Sequence, residues 1–395
     1  MFPSSCHYLA FFFFLSGVSC RNESSSSPSY LLLPRDLAFD STTRLALQSL
    51  RQSPNTSFLY LQSLFPHHSL SQKQPYWNHT DYGTLTLVGN KGGHVLEQIN
   101  QDRSLVWLSE TNILSGVMDG HGTAGHFVAE YVRHDLLRRL WNKTNDIEPW
   151  LHEVFLQTDQ AIPDELAHHG GCTCSLVYQS GEQIYFANTG DSQSFLAAAY
   201  GDNEMHVQIM YETRLDKPGH PDEAQRLQHA GAHVTGATEE DDARVWATDP
   251  ATGHTSGLAM SRVLGDRHHT AVIADPSIQV IDLKAMKEKV IQDYNLYRTQ
   301  QCQQVTIHAD GSSDPCPLAE KPEAVHFFVV SATDGVMDFL EPLEIAQTMA
   351  GYLYGNQGHP YLGMEDLLWR STHLWQQHGQ YRDDMAIAYA KTAQV

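Results

Sequence analysis

Ile113-Leu114-Ser115-Gly116-Val117-Met118-Asp119-Gly120-His121-Gly122 is an apolar run that ends on an aspartate, two glycines and a histidine. A run without an alternating polar face predicts a strand covered on both sides. Directly after it, Phe127, Val128, Tyr131, Val132, Leu136, Leu137, Leu140 and Trp141 recur at helical spacing and define one apolar stripe. Short apolar or β-branched runs recur at residues 85–88, 175–178, 183–188, 326–331 and 385–390, and a further helix is expected at 221–230. Residues 283–298 and the polar stretch after them read as an insertion. No internal repeat divides residues 80–395, which read as one mixed α and β domain.

The aspartates fall at the ends of these runs. Asp119 follows the strand at 113–118, Asp191 the strand at 183–188, and Asp334 the strand at 326–331, with Asp338 four residues later. Asp383 and Asp384 lead into the last strand, and Asp102 precedes the run Leu105 to Leu108. A single Asp-Gly is ordinary turn chemistry. Carboxylates at the rims of neighbouring strands, by contrast, repel one another unless a cation sits between them. An all-oxygen ligand set suits Mg²⁺, Mn²⁺ or Ca²⁺ better than Zn²⁺. Two such ions can activate a water and neutralise charge on a phosphoryl group.

The composition narrows the partners. With 25 basic against 46 acidic side chains the formal net charge is −21, which excludes the basic surface that nucleic acids need and disfavours an anionic membrane surface. A content of 41% hydrophobic residues, with 17 Tyr and 15 Phe, is that of a folded chain. The six cysteines, at 6, 20, 172, 174, 302 and 316, show no zinc-ribbon spacing. Cys172 and Cys174 read as buried thiols of one strand, and Cys302 and Cys316 could close a loop in an oxidising compartment. Residues 1–20 carry an apolar run too short to span a bilayer and read as a secretory signal. With the Asn-x-Ser/Thr sites Asn22, Asn55, Asn78 and Asn142 they predict a secreted glycoprotein, the alternative being a cytoplasmic chain with an apolar tail. Membrane association is expected only if that run is uncleaved. Residues 21–79 are expected to form an N-terminal extension that packs on the main body or is partly disordered, with a short helix at 41–52. The 23 histidines, including the doublets 67–68, 168–169 and 268–269, read as solvated loop positions, His121 excepted.

The ordered motifs resemble the PP2C (PPM) family of metal-dependent serine/threonine protein phosphatases over residues 82–391. They are Asn100-Gln101-Asp102, Val117-Met118-Asp119-Gly120-His121-Gly122, Gly171-Cys172-Thr173 and Ala187-Asn188-Thr189-Gly190-Asp191-Ser192. Asp222-Glu223-Ala224-Gln225-Arg226-Leu227, the run from Leu258 to Asp266, Ala332-Thr333-Asp334-Gly335 with Asp338, and Arg382-Asp383-Asp384-Met385 complete the series. The resemblance implies an α+β fold, a four-layer α-β-β-α sandwich of two central antiparallel β-sheets flanked by helices. It implies a monomeric enzyme acting on phosphoserine and phosphothreonine in phosphoprotein substrates. A binuclear Mg²⁺ or Mn²⁺ centre and metal-bound hydroxide would do the chemistry. By the same resemblance Asp119 bridges the two ions, the Gly120 carbonyl binds one, Asp334 and Asp383 complete the pair, and Asp102 holds metal-bound water. Asp191 and Asp338 match residues that support a weaker third ion, and His121 matches the general acid. Ser261, Arg262 and Asp266 are expected to do structural work near the site, and the acidic run 239–242 to be a solvated loop.

Two departures stand out. Glu97 occupies the place where an Arg often binds the substrate phosphate, leaving Lys91, His94 and Arg103 as the nearby cations, so the phosphate-binding residue is unknown. Asp384 replaces a usual Asn and adds a charge beside Asp383. These departures keep a pseudophosphatase or scaffold with the same fold as the alternative. A calcium-binding structural protein is more remote, because no EF-hand spacing is present.

Overall fold

The structure is a computed structural model that describes residues 80–92, 98–108, 112–140, 146–201, 205–236, 243–249, 253–302, 322, 324–355, 359–379 and 381–392. Residues 1–79 with their signal, helix and Asn sites lie outside these, as do Asn142, His94, Glu97, residues 239–242 and Cys316.

Among the described residues, two five-stranded sheets form the centre. One has the order β1 (Tyr82–Leu87), β16 (Met385–Lys391), β15 (Ala324–Ala332), β8 (Gln193–Gly201) and β9 (His206–Glu212). The other has the order β14 (Ser277–Asp282), β7 (Gln183–Thr189), β6 (Cys174–Ser180), β3 (Asn112–Met118) and β2 (Arg103–Leu108). Neighbouring strands in both are antiparallel.

Side-chain alternation turns these sheets into inner layers. In β8, Leu196 and Ala198 face the other sheet, whereas Phe195, Ala197 and Ala199 face helices. In β15, Phe327 and Val329 point inward and Phe328, Val330 and Ala332 outward. The inward residues meet Ile113, Val177 and Phe186 of the second sheet. Nearer β2, Val106 and Val117 meet Ala386 and Ala388. The outer face of the first sheet is covered by α7 (Pro342–Leu353) and α8 (Pro360–His378), through residues such as Met349 and Leu367. That of the second is covered by α1 (Gly125–Leu140) and α2 (Ile147–Ala161), through Val132, Leu136, Leu151 and Phe155. Strands apolar on both faces thus follow from being inner layers, and the expected four-layer sandwich is the observed one.

The expected strands and helices are present with boundaries shifted by a few residues. The 283–298 segment is α5 (Leu283–Cys302), whose Leu283 and Val290 are buried in the inter-sheet core. Cys172 and Cys174 are both buried free thiols, but they do not share one strand. Cys172 ends β5 (Gly170–Cys172), which pairs with β4 (Gly120–Gly122) and β13 (Leu264–Gly265), whereas Cys174 starts β6. Thr173 makes the step between the two sheets because its amide and hydroxyl are both engaged by Asp119. Of the 268–269 doublet, His268 is half-buried and His269 is not solvated. His269 is 3% exposed, with Nε2 3.0 Å from Ser256 Oγ.

A seam of hydroxyls crosses between the central sheets. Ser175 Oγ lies 2.7 Å from Ser194 Oγ, which donates to Ser331 Oγ at 2.7 Å, and Thr173 Oγ1 lies 2.6 Å from Ser192 Oγ. Small side chains let the sheets approach here, and each of these five hydroxyls has a partner.

The outward core of the first sheet should dominate stability. Phe328→Ala, at a fully buried position, is expected to lower the unfolding free energy by about 3–5 kcal/mol. Urea denaturation checks this, and a loss below about 1 kcal/mol would contradict the packing described.

Candidate metal-binding and catalytic site

The strand ends that emerge together at one rim carry the acidic residues. Asp119 follows β3, Asp191 follows β7, Asp102 precedes β2 and Asp383 precedes β16. Asp334 follows β15 and opens the one-turn helix α6 (Asp334–Met337), with Asp338 at its end. Two glycines permit this convergence. A Cβ on Gly120 would lie 2.5 Å from the Gly125 carbonyl oxygen and 2.7 Å from that of Gln101. One on Gly335 would collide with the Asp384 carbonyl oxygen.

Asp102 is 1% exposed, and its Oδ2 accepts a hydrogen bond from Thr333 Oγ1 at 2.7 Å. The same hydroxyl accepts the Ala386 amide at 2.8 Å, so one threonine fixes both the carboxylate and the start of β16. Asp102 Oδ1 and Asp334 Oδ1 are buried without a hydrogen-bond partner. Burial first, then Asp102, Asp334 and Asp383, push the Asp119 carboxyl well above the usual carboxylate range. Burial also raises Asp102, with Asp384, Asp334 and Asp383 adding to the effect. Burial and Asp191 raise Asp334 to about 7, with Asp383 and Asp338 contributing. Asp119 and Asp334 share a hydrogen bond between their carboxyl groups. All six predicted aspartates take part in this mutual repulsion, Asp338 from an exposed position at the end of α6.

The groups around that centre are engaged with one another. Among the described residues no three Asp, Glu, His or Cys side chains are arranged so that they could together hold a metal ion. Asp383 Oδ1 lies 2.7 Å from the Lys91 ammonium, and Asp383 Oδ2 accepts from the Tyr381 hydroxyl at 2.9 Å. Asp191 Oδ2 accepts from the Lys217 ammonium at 2.7 Å. Two orphaned buried oxygens amid further carboxylates are the hard oxygen donor chemistry that divalent cations such as Mg²⁺ or Mn²⁺ take.

His121 stands beside this centre on β4, in register with Gly171. Its Nε2 lies 2.5 Å from Asp266 Oδ2. Burial opposes protonation of His121, but Asp266 outweighs it and raises the imidazole above its ordinary value, helped by Asp191 and Asp334. Asp266 is lowered despite its burial, chiefly by His121. It has φ of +47°, a conformation Asp tolerates better than most residues. Its turn is anchored by Asp159, which accepts the Gly265 amide and an Arg267 nitrogen, both at 2.8 Å.

Ser261 and Arg262 belong to a neighbouring support. Arg262 donates to Glu223 Oε1 at 2.6 Å and to the Asp275 carbonyl at 2.8 Å, and the Ser261 amide and hydroxyl both donate to the Asp216 carbonyl. Sequence reading did not find Asp266 as the partner of His121, or Thr333, Tyr381 and Lys217 as partners of the aspartates. The Thr333-Asp334 and Gly265-Asp266 dipeptides were visible, but not whom they face.

Comparison with known proteins agrees with this geometry. A family model described as Protein phosphatase 2C matches residues 88–291, just over half of the chain. The chain is 33% identical over 202 residues to Probable protein phosphatase 2C 73 of Arabidopsis thaliana, covering 42% of this chain and 52% of that protein. It is 28% identical over 303 residues to Probable protein phosphatase 2C 61 of the same organism, covering 70% and 80% respectively. The chain spans about half the length of several curated relatives it matches. The crystal structure of serine-threonine phosphatase 2C from Toxoplasma gondii superposes with a TM-score of 0.53 at 13% identity, covering 79% of this chain and 94% of that one. At that identity the likeness speaks for the fold.

Crowded carboxyls leave a signature in stability. The unfolded chain releases their protons in the usual carboxylate range, whereas the folded chain retains them to higher pH, Asp334 to about 7. Folded protein therefore binds more protons across that window, and its stability falls as pH rises. The raised His121 acts in the same direction as pH passes through its folded value. Glu223, held near 2 by Arg262 and Arg226 despite burial, loses its stabilising effect only as pH falls below about 4. In EDTA the melting temperature is expected to fall between pH 5 and 7.5, and Mn²⁺ at pH 7.5 to restore it. A melting temperature insensitive to both would contradict the site described.

Proposed function

The chain belongs to the protein phosphatase 2C family, and from that premise we propose that it hydrolyses phosphoserine and phosphothreonine in proteins with two Mg²⁺ or Mn²⁺ ions. The observation that carries this reading is the joining of buried, partly unpartnered carboxylate oxygens to an imidazole–carboxylate pair at one rim. Asp119, the Gly120 carbonyl, Asp334 and Asp383 would hold the ions, and Asp191 with Asp338 could take a third. When bound, the ions supply Lewis acidity that activates a water and neutralises charge on the phosphoryl group.

The chain's own residues do the remaining work. Thr333 fixes the orientation of Asp102, so that its free Oδ1 can align water at the centre. Asp266 holds the His121 ring and favours its charged form, leaving a proton available for the departing serine or threonine oxygen. Tyr381 keeps the Asp383 carboxylate in place from the solvent side.

Manganese-dependent release of phosphate from a phosphothreonine peptide is the expected activity, reduced to background in Asp119→Ala. His121→Ala is expected to lower kcat on the peptide by on the order of 10²–10⁴-fold. The loss should be much smaller with p-nitrophenyl phosphate, whose leaving group needs no proton. Wild-type protein inactive at every manganese concentration would overturn the proposal, and so would full activity in Asp119→Ala.

A further inference from the structure

Among the described cations close to the site, most are committed to fixed partners. Arg103 is held by Glu130 at 2.6 Å and by the carbonyls of Asn100 and Asp102. Arg382 is 5% exposed and donates to the Val88 carbonyl at 2.8 Å. Lys217 reaches Asp191. Lys91 is different. Its ammonium lies 2.7 Å from Asp383 Oδ1 and 3.0 Å from Asp384 Oδ2, while its side chain keeps 33% of its surface in solvent.

Both carboxylates under Lys91 have other partners. Asp384, 1% exposed, accepts the Gly89 amide at 2.6 Å and the Gln101 amide at 3.0 Å. Asp383 accepts the Tyr381 hydroxyl and the Asp384 amide. Neither would be orphaned if the ammonium swung away. The Lys91 backbone is independently fixed, because the adjacent Asn90 exchanges two backbone hydrogen bonds with Arg382, at 2.7 and 3.0 Å. Its own amide donates to Gln98 Oε1 at 2.8 Å. A flexible stem on a fixed backbone can therefore re-aim its charge. A divalent ion on Asp383 would repel an ammonium held at that same carboxylate. The ammonium would then keep Asp384 on one side and could turn its other N–H groups to an incoming anion.

We propose that Lys91 is the residue that binds the substrate phosphate, its ammonium passing from Asp383 to the phosphomonoester dianion once a divalent ion is seated. This inference rests on the divalent-ion phosphatase reading above. The orphaned, buried Asp102 Oδ1 at the same cluster independently points to a ligand at this centre.

The test is calorimetric binding of inorganic phosphate to the full chain with Mn²⁺, for wild type, Lys91→Met, Lys91→Gln, Lys91→Arg and Lys91→Met/Asp384→Asn, with peptide kinetics alongside. Lys91→Met and Lys91→Gln are expected to weaken phosphate binding by roughly 10- to 100-fold, the worth of one charged hydrogen bond. They should raise KM more than they lower kcat, without weakening Mn²⁺ binding. Lys91→Arg should restore most of the loss. Phosphate binding unchanged in both neutral variants would overturn the inference. So would its recovery in the double variant, because Lys91 would then serve only to neutralise Asp384. Wild type that hydrolyses peptide while the neutral variants bind phosphate normally overturns the inference alone. Wild type without turnover, whose phosphate binding is nonetheless lost in both neutral variants, overturns the phosphatase reading and supports the role of Lys91.

Discussion

Mutual repulsion among aspartates at one rim of the sandwich is the constraint that the surrounding structure answers. Bringing Asp102, Asp119 and Asp334 out of water and close together raises each carboxyl. Thr333 steadies Asp102, Asp119 shares a hydrogen bond with Asp334, and Lys91 and Lys217 lie against Asp383 and Asp191. Glycines at 120 and 335 let the backbone come close enough for this to happen. Such crowding makes sense where the fold keeps a place for divalent cations, and it destabilises the chain otherwise.

Much of this was legible in the chain. Strands buried on both faces read as apolar runs without alternation, and aspartates at their ends read as a shared rim because neighbouring strands present their ends together. What could not be read was partnership over distance. His121 and Asp266 are 145 positions apart, and no local pattern says that an Asp in a Gly-Asp turn will face an imidazole. The strand at 193–201 was missed because Ala197, Ala198 and Ala199 carry little β signal, yet small side chains are what that central strand needs between its two layers. The doublet at 268–269 reads as polar loop, while His269 is buried against Ser256 beside the Asp266 turn. Desolvation and His268 lower His269 to about 4, so it is neutral there.

The net charge of −21 is thus not one property. Part of it is concentrated at the rim, where divalent ions would offset it. Another part is held in fixed pairs, such as Glu130 with Arg103 and Arg133, Asp135 with Arg138 and Arg139, and Glu223 with Arg226 and Arg262. Asp384 belongs to a third kind, a buried charge answered by two amides and one ammonium. Only the first kind can respond to ion concentration.

The pairing of β1 with β16, from Tyr82 opposite Ala390 to Leu87 opposite Met385, has a temporal consequence. During synthesis β1 leaves the ribosome first of the described strands and β16 last, so the first sheet cannot close until all the other described strands have emerged. Asp383, at the entrance to β16, reaches the rim only at that moment. Until β16 emerges, β1 and β15 therefore keep strand edges unpaired. The late strand acts as an assembly checkpoint, because the acidic rim lacks Asp383 until β16 has joined its sheet.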